Sequence, residues 1–361
     1  MKFIFTGGGT GGHIYPAIAL IKAIRKSDPD SEILYIGKIN SQEEKIAASE
    51  KIAFKGIEIN YFHRRFTLKN LKTLYLFLKA YCKARKLIKQ FKPDIIIGTG
   101  GYVCAPVVYA GARQKIKTII HEQNSVPGIT NKFLARFCDK VAISMPTSKA
   151  YFPQEKVVLT GNPRAQEVME TKKVTKADLG LSKDKKLLLI FMGSLGAKYV
   201  NEAICKILPE LAKRADLETI FVTGKIHFDN IIKEANIYNN QQNIIIKAYV
   251  DNMPEYYQHT DLIICRAGAT TLAEISAIGI PAVLVPSPYV TNNHQEKNAQ
   301  ALVNQGGAIM IRELELDEKL LVKQIFSLIA DPYNLRLMKN KLKKSGIPNS
   351  CDLFIELIKS L

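Results

Sequence analysis

Four clusters of residues have the types and spacing for chemistry. Residues 7–13 read Gly7-Gly8-Gly9-Thr10-Gly11-Gly12-His13, between an apolar run and a helical pattern. Glycines allow a tight turn and a close approach to a ligand, and a helix start offers unpaired N–H groups to an anion. His13 stands at the mouth of that loop, either as a general base in its neutral form or as a structural cap. Residues 265–274, Cys265-Arg266-Ala267-Gly268-Ala269-Thr270-Thr271-Leu272-Ala273-Glu274, repeat the arrangement. The amides of 269–271 form an anion site, and Glu274 accepts from a ribose diol or is a solvated helical glutamate. Gln295 and Asn298, at i and i+3, bring two amides to one helix face. Amides suit sugar hydroxyls because each offers a donor and an acceptor, although either residue alone also reads as a polar cap. Met192-Gly193-Ser194-Leu195-Gly196-Ala197 serves equally as a phosphate cradle through Ser194 and as an ordinary tight turn.

Several classes are disfavoured. Gly7, Gly9 and Gly12 formally satisfy G-x-G-x-x-G, but the second strand ends Ile36-Gly37-Lys38 without the acid a nicotinamide cofactor needs. The six cysteines, at 82, 104, 138, 205, 265 and 351, show no C-x-x-C spacing and no histidine partners. Reduced thiols are expected, with no zinc site and no disulfide framework. The N-terminal residues run straight into glycines without a signal-peptide apolar region, and no apolar run has the length of a membrane span.

These residues need a scaffold. Apolar runs at 2–6, 33–36, 57–59, 94–98, 118–121, 141–144 and 157–160 predict strands in the first half. Runs at 187–192, 219–222, 244–248, 262–265, 282–285 and 308–311 do so in the second. They lack strict alternation, as parallel strands buried on both faces do. Helical patterns such as 14–26, 200–212 and 270–278 separate most of them, and helices are also expected at 317–330, 332–344 and 351–361. Each βαβα series folds as a doubly wound sheet. The break falls near Gly161-Asn162-Pro163-Arg164, ahead of the polar stretch 167–186. The expected fold class is therefore α/β, with two Rossmann-like domains facing across a cleft. The domains expected are 1–160 and 161–345, with a final helix, 346–361, packing back towards the N-terminal domain. The glycine loops that follow first strands then lie at carboxyl ends, where open α/β sheets bind ligands.

Charge is unevenly shared. The 361 residues carry 51 Lys+Arg and 33 Asp+Glu, a net +18. Residues 1–160 hold 26 basic and 11 acidic side chains, and the rest hold 25 and 22. A basic half implies an anionic partner: nucleic acid, anionic lipid or a phosphorylated substrate. Residues 61–92 contain ten Lys+Arg and no acid. One helical face (Leu68, Leu71, Tyr75, Leu78, Cys82) is expected to pack on the sheet. Leu76 and Phe77 are then left over, ringed by Lys72, Lys79, Lys83 and Arg85. That pattern fits an interfacial helix on an anionic membrane surface or a core helix with a solvated basic face. No groove-reading motif accompanies the charge, so no nucleic-acid partner is expected.

Taken together, the motifs resemble one family. Gly8-Gly9-Thr10-Gly11-Gly12-His13, Gly100-Gly101-Tyr102, His121-Glu122-Gln123-Asn124, Gly161-Asn162-Pro163-Arg164, the 193–197 turn, Ala267-Gly268-x-Thr270, Glu274 and His294-Gln295-x-x-Asn298 occur in its order and spacing. The chain resembles the MurG family of N-acetylglucosamine (GlcNAc) transferases over essentially its whole length. The resemblance implies a GT-B fold. It implies inverting transfer of GlcNAc from UDP-GlcNAc to undecaprenyl-linked lipid I, giving lipid II for peptidoglycan synthesis, with no metal and no cofactor. Carried over by motif, Thr10, Gly11, Gly12, Asn124, Arg164, Ser194, Val250, Ala269, Thr270, Thr271, Leu272, Ala273, Glu274, Gln295 and Asn298 bind the donor. Among these Glu274 holds the ribose, Val250 reads uracil through its backbone, and Gln295 with Asn298 holds GlcNAc hydroxyls. His13, Tyr102, Glu122 and Asn124 face the acceptor, with His13 the candidate base. An undecaprenyl acceptor implies peripheral docking at the cytoplasmic face of the bacterial cell membrane, favouring the interfacial reading of the basic segment. Another UDP-sugar:lipid transferase, such as a diacylglycerol glycosyltransferase, shares the donor half and the basic helix. Tyr102 and the 121–124 motif favour the lipid I enzyme over it. Two features depart from the family pattern. Met192 and Leu195 replace a glycine and a glutamine, and Arg164 follows Pro163 directly.

Overall fold

The computed structural model describes residues 1–61, 69–193, 196–235, 238 and 243–361. The chain forms two compact units, Met1–Glu167 with Asn349–Leu361, and Val168–Pro348. The first unit therefore runs past the expected boundary at residue 160.

The first unit alternates β1 (Lys2–Thr6), α1 (Gly11–Ser27), β2 (Glu32–Lys38), α2 (Gln42–Ser49), β3 (Ala53–Ile57), α3 (Lys69–Phe91), β4 (Ile95–Gly98), α4 (Cys104–Arg113), β5 (Lys117–Glu122), α5 (Ile129–Leu134), β6 (Lys140–Ile143) and β7 (Val157–Leu159), followed by α6 (Pro163–Met169). Its seven strands are parallel, in the order β3-β2-β1-β4-β5-β6-β7.

The second unit contributes β8 (Lys186–Phe191), α7 (Lys198–Ala212), β9 (Leu217–Val222), α8 (Phe228–Ala235), β10 (Ile244–Lys247), α9 (Met253–Tyr257), β11 (Leu262–Cys265), α10 (Ala269–Ile278), β12 (Ala282–Leu284), α11 (His294–Asn304), β13 (Ala308–Met310), α12 (Glu318–Ala330) and α13 (Pro332–Ser345). Its parallel order is β10-β9-β8-β11-β12-β13. Both orders reverse once, between β1 and β4 and between β8 and β11. At such a switch point successive connections leave on opposite faces and open a crevice at the strands' carboxyl ends.

The expected strand at 57–59 lies earlier, at Ala53–Ile57, paired to β2 from Leu34↔Ala53 to Lys38↔Ile57. β3 is an edge strand whose Ala53 and Lys55 are exposed, so its apolar signal is weak. Ile57 and Ile59 are both buried and drew the pattern forward. Elsewhere the strands start or stop within a residue or two of the expected limits.

Sheet one is covered on both faces. On one, Ala80, Ala84 and Ile88 of α3 join Val107 of α4 and Leu134 of α5. On the other, Ile14 and Ile18 of α1 meet Phe354 and Leu357 of the last helix, α14 (Ser350–Lys359). A ten-residue helix is marginal alone, but each fully buried large apolar side chain contributes about 1.5–3 kcal/mol. Burial of Phe354, Leu357 and Ile358 therefore holds α14 in place.

Candidate functional site

At the first switch point the chain leaves β1 through four residues and enters α1 at Gly11. Thr10 is the N-cap, and its hydroxyl makes no capping bond. Elsewhere Ser41 and Asp317 do cap their helices α2 and α12. With Gly9, Thr10 and Gly12 exposed, the first amides of α1 stand open to an anion.

His13 is half-buried, its Nδ1 3.2 Å from the Thr99 carbonyl oxygen and 3.2 Å from Gln123 Oε1. The Thr99 hydroxyl donates to the His13 carbonyl at 2.7 Å. The loop after β4 presses directly on this ring. A Cβ on Gly100, at φ 106°, would lie 2.6 Å from His13 Nδ1, and one on Gly101, at φ 84°, 2.1 Å from the Gly8 carbonyl oxygen. Only glycine allows both the left-handed backbone and that approach. Tyr102 follows, its ring over Gly9 and the Lys38 ammonium 6.0 Å from its centroid.

Glu122 corrects the expectation that it faces the acceptor. It is 1% exposed. Its Oε1 accepts from the Asn124 amide and side chain, and its Oε2 from the Gly128 amide and the Asn131 side chain. With four donors on two oxygens, the carboxylate shapes the loop that carries Asn124 and has little left for a ligand. His121 is fully buried, and burial lowers its pKa to about 4; His13 acts in the same sense and the Gly161 carbonyl against it. Arg164 ion-pairs with Glu167 and lies 5.8 Å from the Tyr15 ring.

The second switch point is built likewise. Gly268 caps α10 without a side-chain bond, and no acid stands in the first turn. Ala269, Thr270 and Thr271 present the open amides. The Leu272 amide is already bonded to the Gly268 carbonyl at 2.9 Å and its side chain is buried, so the donor contact that the resemblance assigns to Leu272 has neither an open amide nor an exposed side chain to make it. Ala273 likewise lies within the helix, past its unpaired first amides. Glu274 is 6% exposed and accepts from the Tyr257 hydroxyl at 3.3 Å.

Gln295 and Asn298 share a helix but not an environment. Gln295 accepts from the Ser287 amide at 2.9 Å and lines a cavity of about 580 Å³ with Met192, Gly196, Arg266 and Glu313. Asn298 is fully buried and donates to the Ala267 carbonyl. It therefore sits behind the β11–α10 loop, not among open hydroxyl-binding groups. Val250 is buried between β10 and α9. Met192 packs in the core. Ser194 and Leu195 lie outside the described residues.

Four groups escaped the sequence reading. Gln123, Thr99 and Tyr257 are named above. The fourth is Arg266, whose Nη2 lies 2.5 Å from the buried Glu313 and whose Nη1 donates to the Val285 carbonyl. Position was the available signal: Thr99 and Arg266 each directly follow a strand at a switch point.

The basic helix reverses the expected faces. Leu71, Leu74, Tyr75 and Leu78 are 48–64% exposed. Phe77 and Tyr81 pack on the core, beside buried Thr73, Ala80, Ala84 and Ile88. Leu76 is half-buried. The small residues Ala80 and Ala84 let α3 lie close to its neighbours, which turns the 71-74-75-78-82 stripe outward. Lys72, Lys79, Lys83 and Arg85 are exposed, with Lys79 paired to Glu58 at 2.6 Å. Leu68 lies outside the described residues. Among the described residues no helix is long and apolar enough to cross a membrane, and no group of side chains is placed to hold a metal ion.

Comparison with known proteins follows the same division. The glycosyltransferase family 28 N-terminal domain matches residues 3–143, and the C-terminal domain of that family matches 187–353. A Bacillus cereus protein named UDP-N-acetylglucosamine--N-acetylmuramyl-(pentapeptide) pyrophosphoryl-undecaprenol N-acetylglucosamine transferase 1 is 47% identical, covering 100% of this chain and 99% of its own. The Bacillus subtilis transferase is 45% identical over the same shares. Among solved structures, Acinetobacter baumannii MurG superposes with a TM-score of 0.77 at 27% identity, over 100% of this chain and 99% of that one. UDP-GlcNAc 2-epimerase from Neisseria meningitidis, bound to UDP-GlcNAc, shares the fold at a TM-score of 0.71 and 14% identity, each chain covered in full.

Proposed function

The chain belongs to the family of these undecaprenol-linked N-acetylglucosamine transferases, within glycosyltransferase family 28, and from that premise we infer its reaction. It transfers GlcNAc from UDP-GlcNAc to undecaprenyl-pyrophosphoryl MurNAc-pentapeptide, lipid I, forming lipid II with inversion at the anomeric carbon. The observation that carries this reading is full-length relationship at 45–47% identity to enzymes of that name.

The residues take roles as follows. His13 Nε2 receives the proton of the acceptor hydroxyl as its oxygen attacks the anomeric carbon. The carbon–oxygen bond to the β-phosphate breaks, and UDP leaves with the electron pair. Negative charge grows on that diphosphate, and the open amides at Ala269–Thr271 are oriented to meet it at the positive end of α10. Glu274, held by Tyr257, accepts from the ribose hydroxyls, and the backbone at Val250 reads uracil. Gln295 offers its amide to the sugar. The family resemblance also assigns Thr10, Gly11, Gly12, Asn124 and Arg164 of the first unit to the donor, and Tyr102 to the acceptor.

The enzyme docks peripherally on the cytoplasmic membrane surface. Leu71, Leu74, Tyr75 and Leu78 enter the interface, and Lys72, Lys83 and Arg85 meet anionic headgroups. An undecaprenyl substrate requires such proximity.

The test is UDP release from UDP-GlcNAc in EDTA, with and without a lipid I analogue. Acceptor-dependent release is expected. Release with diacylglycerol but not with the lipid I analogue overturns the acceptor assignment. His13→Ala lowers turnover by roughly 10²–10⁴-fold while UDP affinity stays unchanged. Unchanged turnover removes His13 as base.

A further inference from the structure

We propose that Gln123 and His121 are positioning residues that hold the His13 proton on Nδ1 and so leave the Nε2 lone pair to the acceptor hydroxyl. The proposal rests on the reading of His13 as general base. Its geometry comes from carbonyl oxygens, which only accept.

Gln123 Nε2 donates to the Thr99 carbonyl at 2.6 Å and lies 3.4 Å from the His121 carbonyl. The reversed amide would set its oxygen against both acceptors, so the orientation is determined. Gln123 Oε1 then faces His13 Nδ1 at 3.2 Å, as does the Thr99 carbonyl oxygen. A ring nitrogen facing two acceptors carries the hydrogen, and in a neutral imidazole the lone pair falls to the other nitrogen.

The amide is itself anchored. Gln123 Nε2 reaches His121 Nδ1 at 3.1 Å, which makes that nitrogen an acceptor. His121 Nε2 is therefore its donor, 3.0 Å from the Gly161 carbonyl and 3.0 Å from the Ser144 hydroxyl. Gly161 is held in turn, its amide bonded to the Ile143 carbonyl at 3.1 Å. Each group in the line Gly161–His121–Gln123–His13 thus admits one proton arrangement. Both middle members are buried, at 0% and 1% exposure, so water does not scramble it. Their spacing of two along the end of β5 puts them on one side of the chain, as the pleat dictates. His121 stays neutral at neutral pH because burial lowers its pKa, which keeps Nδ1 an acceptor.

The experiment is long-range proton–nitrogen correlation spectroscopy of the full chain labelled in histidine, at a pH where His13 is neutral. It is read together with kcat and KM. Wild-type His13 is expected as the Nδ1–H tautomer. Gln123→Met removes one of the two acceptors at Nδ1 and the group that holds the ring against the Thr99 carbonyl; it is expected to raise the Nε2–H share above wild type and to lower kcat by roughly a hundredfold, with KM for UDP-GlcNAc within about twofold. Gln123→Glu keeps an acceptor for Nδ1–H and, in its protonated form, a donor for Thr99. It is expected to retain the Nδ1–H tautomer and at least about a tenth of the rate. A wild-type Nε2–H tautomer, or Gln123→Met with the wild-type tautomer and kcat, overturns the proposal. If Gln123→Met does not fold, the wild-type spectrum and Gln123→Glu still decide. Full turnover in His13→Ala would instead sink the base reading, while the tautomer spectra would still judge the positioning claim.

Discussion

The carboxylate proposed to hold the ribose is buried and bonded within its own unit. Glu274 is 6% exposed, with the Tyr257 hydroxyl 3.3 Å from Oε2. A net hydrogen bond is worth about 0.5–1.5 kcal/mol, and one to a charged group about 1.5–3 kcal/mol. Glu274→Ala is therefore expected to weaken UDP binding by roughly ten- to a hundredfold. Tyr257→Phe, which loses only the orienting bond, weakens it by roughly two- to tenfold. Isothermal titration with UDP measures both, and equal losses would mean that Tyr257 touches the nucleotide itself. On the acceptor side, Gly100→Ala is expected to displace the His13 ring, since the added carbon would lie 2.6 Å from Nδ1. Turnover should fall while UDP affinity holds. Unaltered turnover would show that the ring position is not critical.

Among the elements, the proposed roles depend on which end or face each helix leaves open. α1 and α10 begin at switch points without side-chain caps, a feature they share with α4, α5, α7, α9, α11 and α14, so their position beside the proposed ligand groups is what distinguishes them; α2, α12 and α13 are capped by Ser41, Asp317 and Asp331. An uncapped start leaves amides for a ligand. α3 is open along a face. Serine at Leu71, Leu74 and Leu78 is expected to reduce binding to anionic vesicles while leaving the melting temperature near wild type. Phe77→Ser is expected to do the opposite, lowering stability by about 2 kcal/mol with vesicle binding retained. Co-sedimentation and thermal melts separate the two. Vesicle binding lost only with Phe77→Ser would restore the original face assignment. Cys82 lies on the same exposed stripe, so a fluorophore attached there should shift to the blue on vesicle addition.

At the scale of the whole molecule, each unit has its own core and its own switch point, and pH acts on them unequally. His121 keeps a pKa of about 4 in the fold against an ordinary value of 6.5. The unfolded chain takes up this proton first as pH falls. The contribution of His121 is thus fully present above about pH 6.5 and is lost as pH falls from about 6.5 to 4, by roughly 3 kcal/mol at most. Urea unfolding followed by circular dichroism across that window should show the loss. His121→Asn should flatten the dependence, and an unchanged slope would assign it to other groups. The thiols follow burial too. Cys104, Cys138 and Cys265 are pushed up to about 12 by burial, so a thiol reagent should reach exposed Cys82 first.

The sequence by itself determined the strand and helix series, because parallel strands buried on both faces read as apolar runs whatever their neighbours. It also placed the two glycine turns at the carboxyl ends of strands, because a glycine turn between a strand and a helix is legible from residue types alone. The family followed from the joint spacing of motifs, which no fold-level pattern supplies. What it left open depended on orientation. A helix apolar on every face does not declare which face is buried, and small residues at Ala80 and Ala84 decided that for α3. Spacing placed Gln295 and Asn298 on one helix face, but packing behind the β11–α10 loop buried Asn298. The 121–124 motif did not say which of its side chains points inward. There the tertiary structure turned Glu122 inward onto four donors and set Gln123 against His13, because only packing and hydrogen-bond satisfaction fix where a polar side chain points.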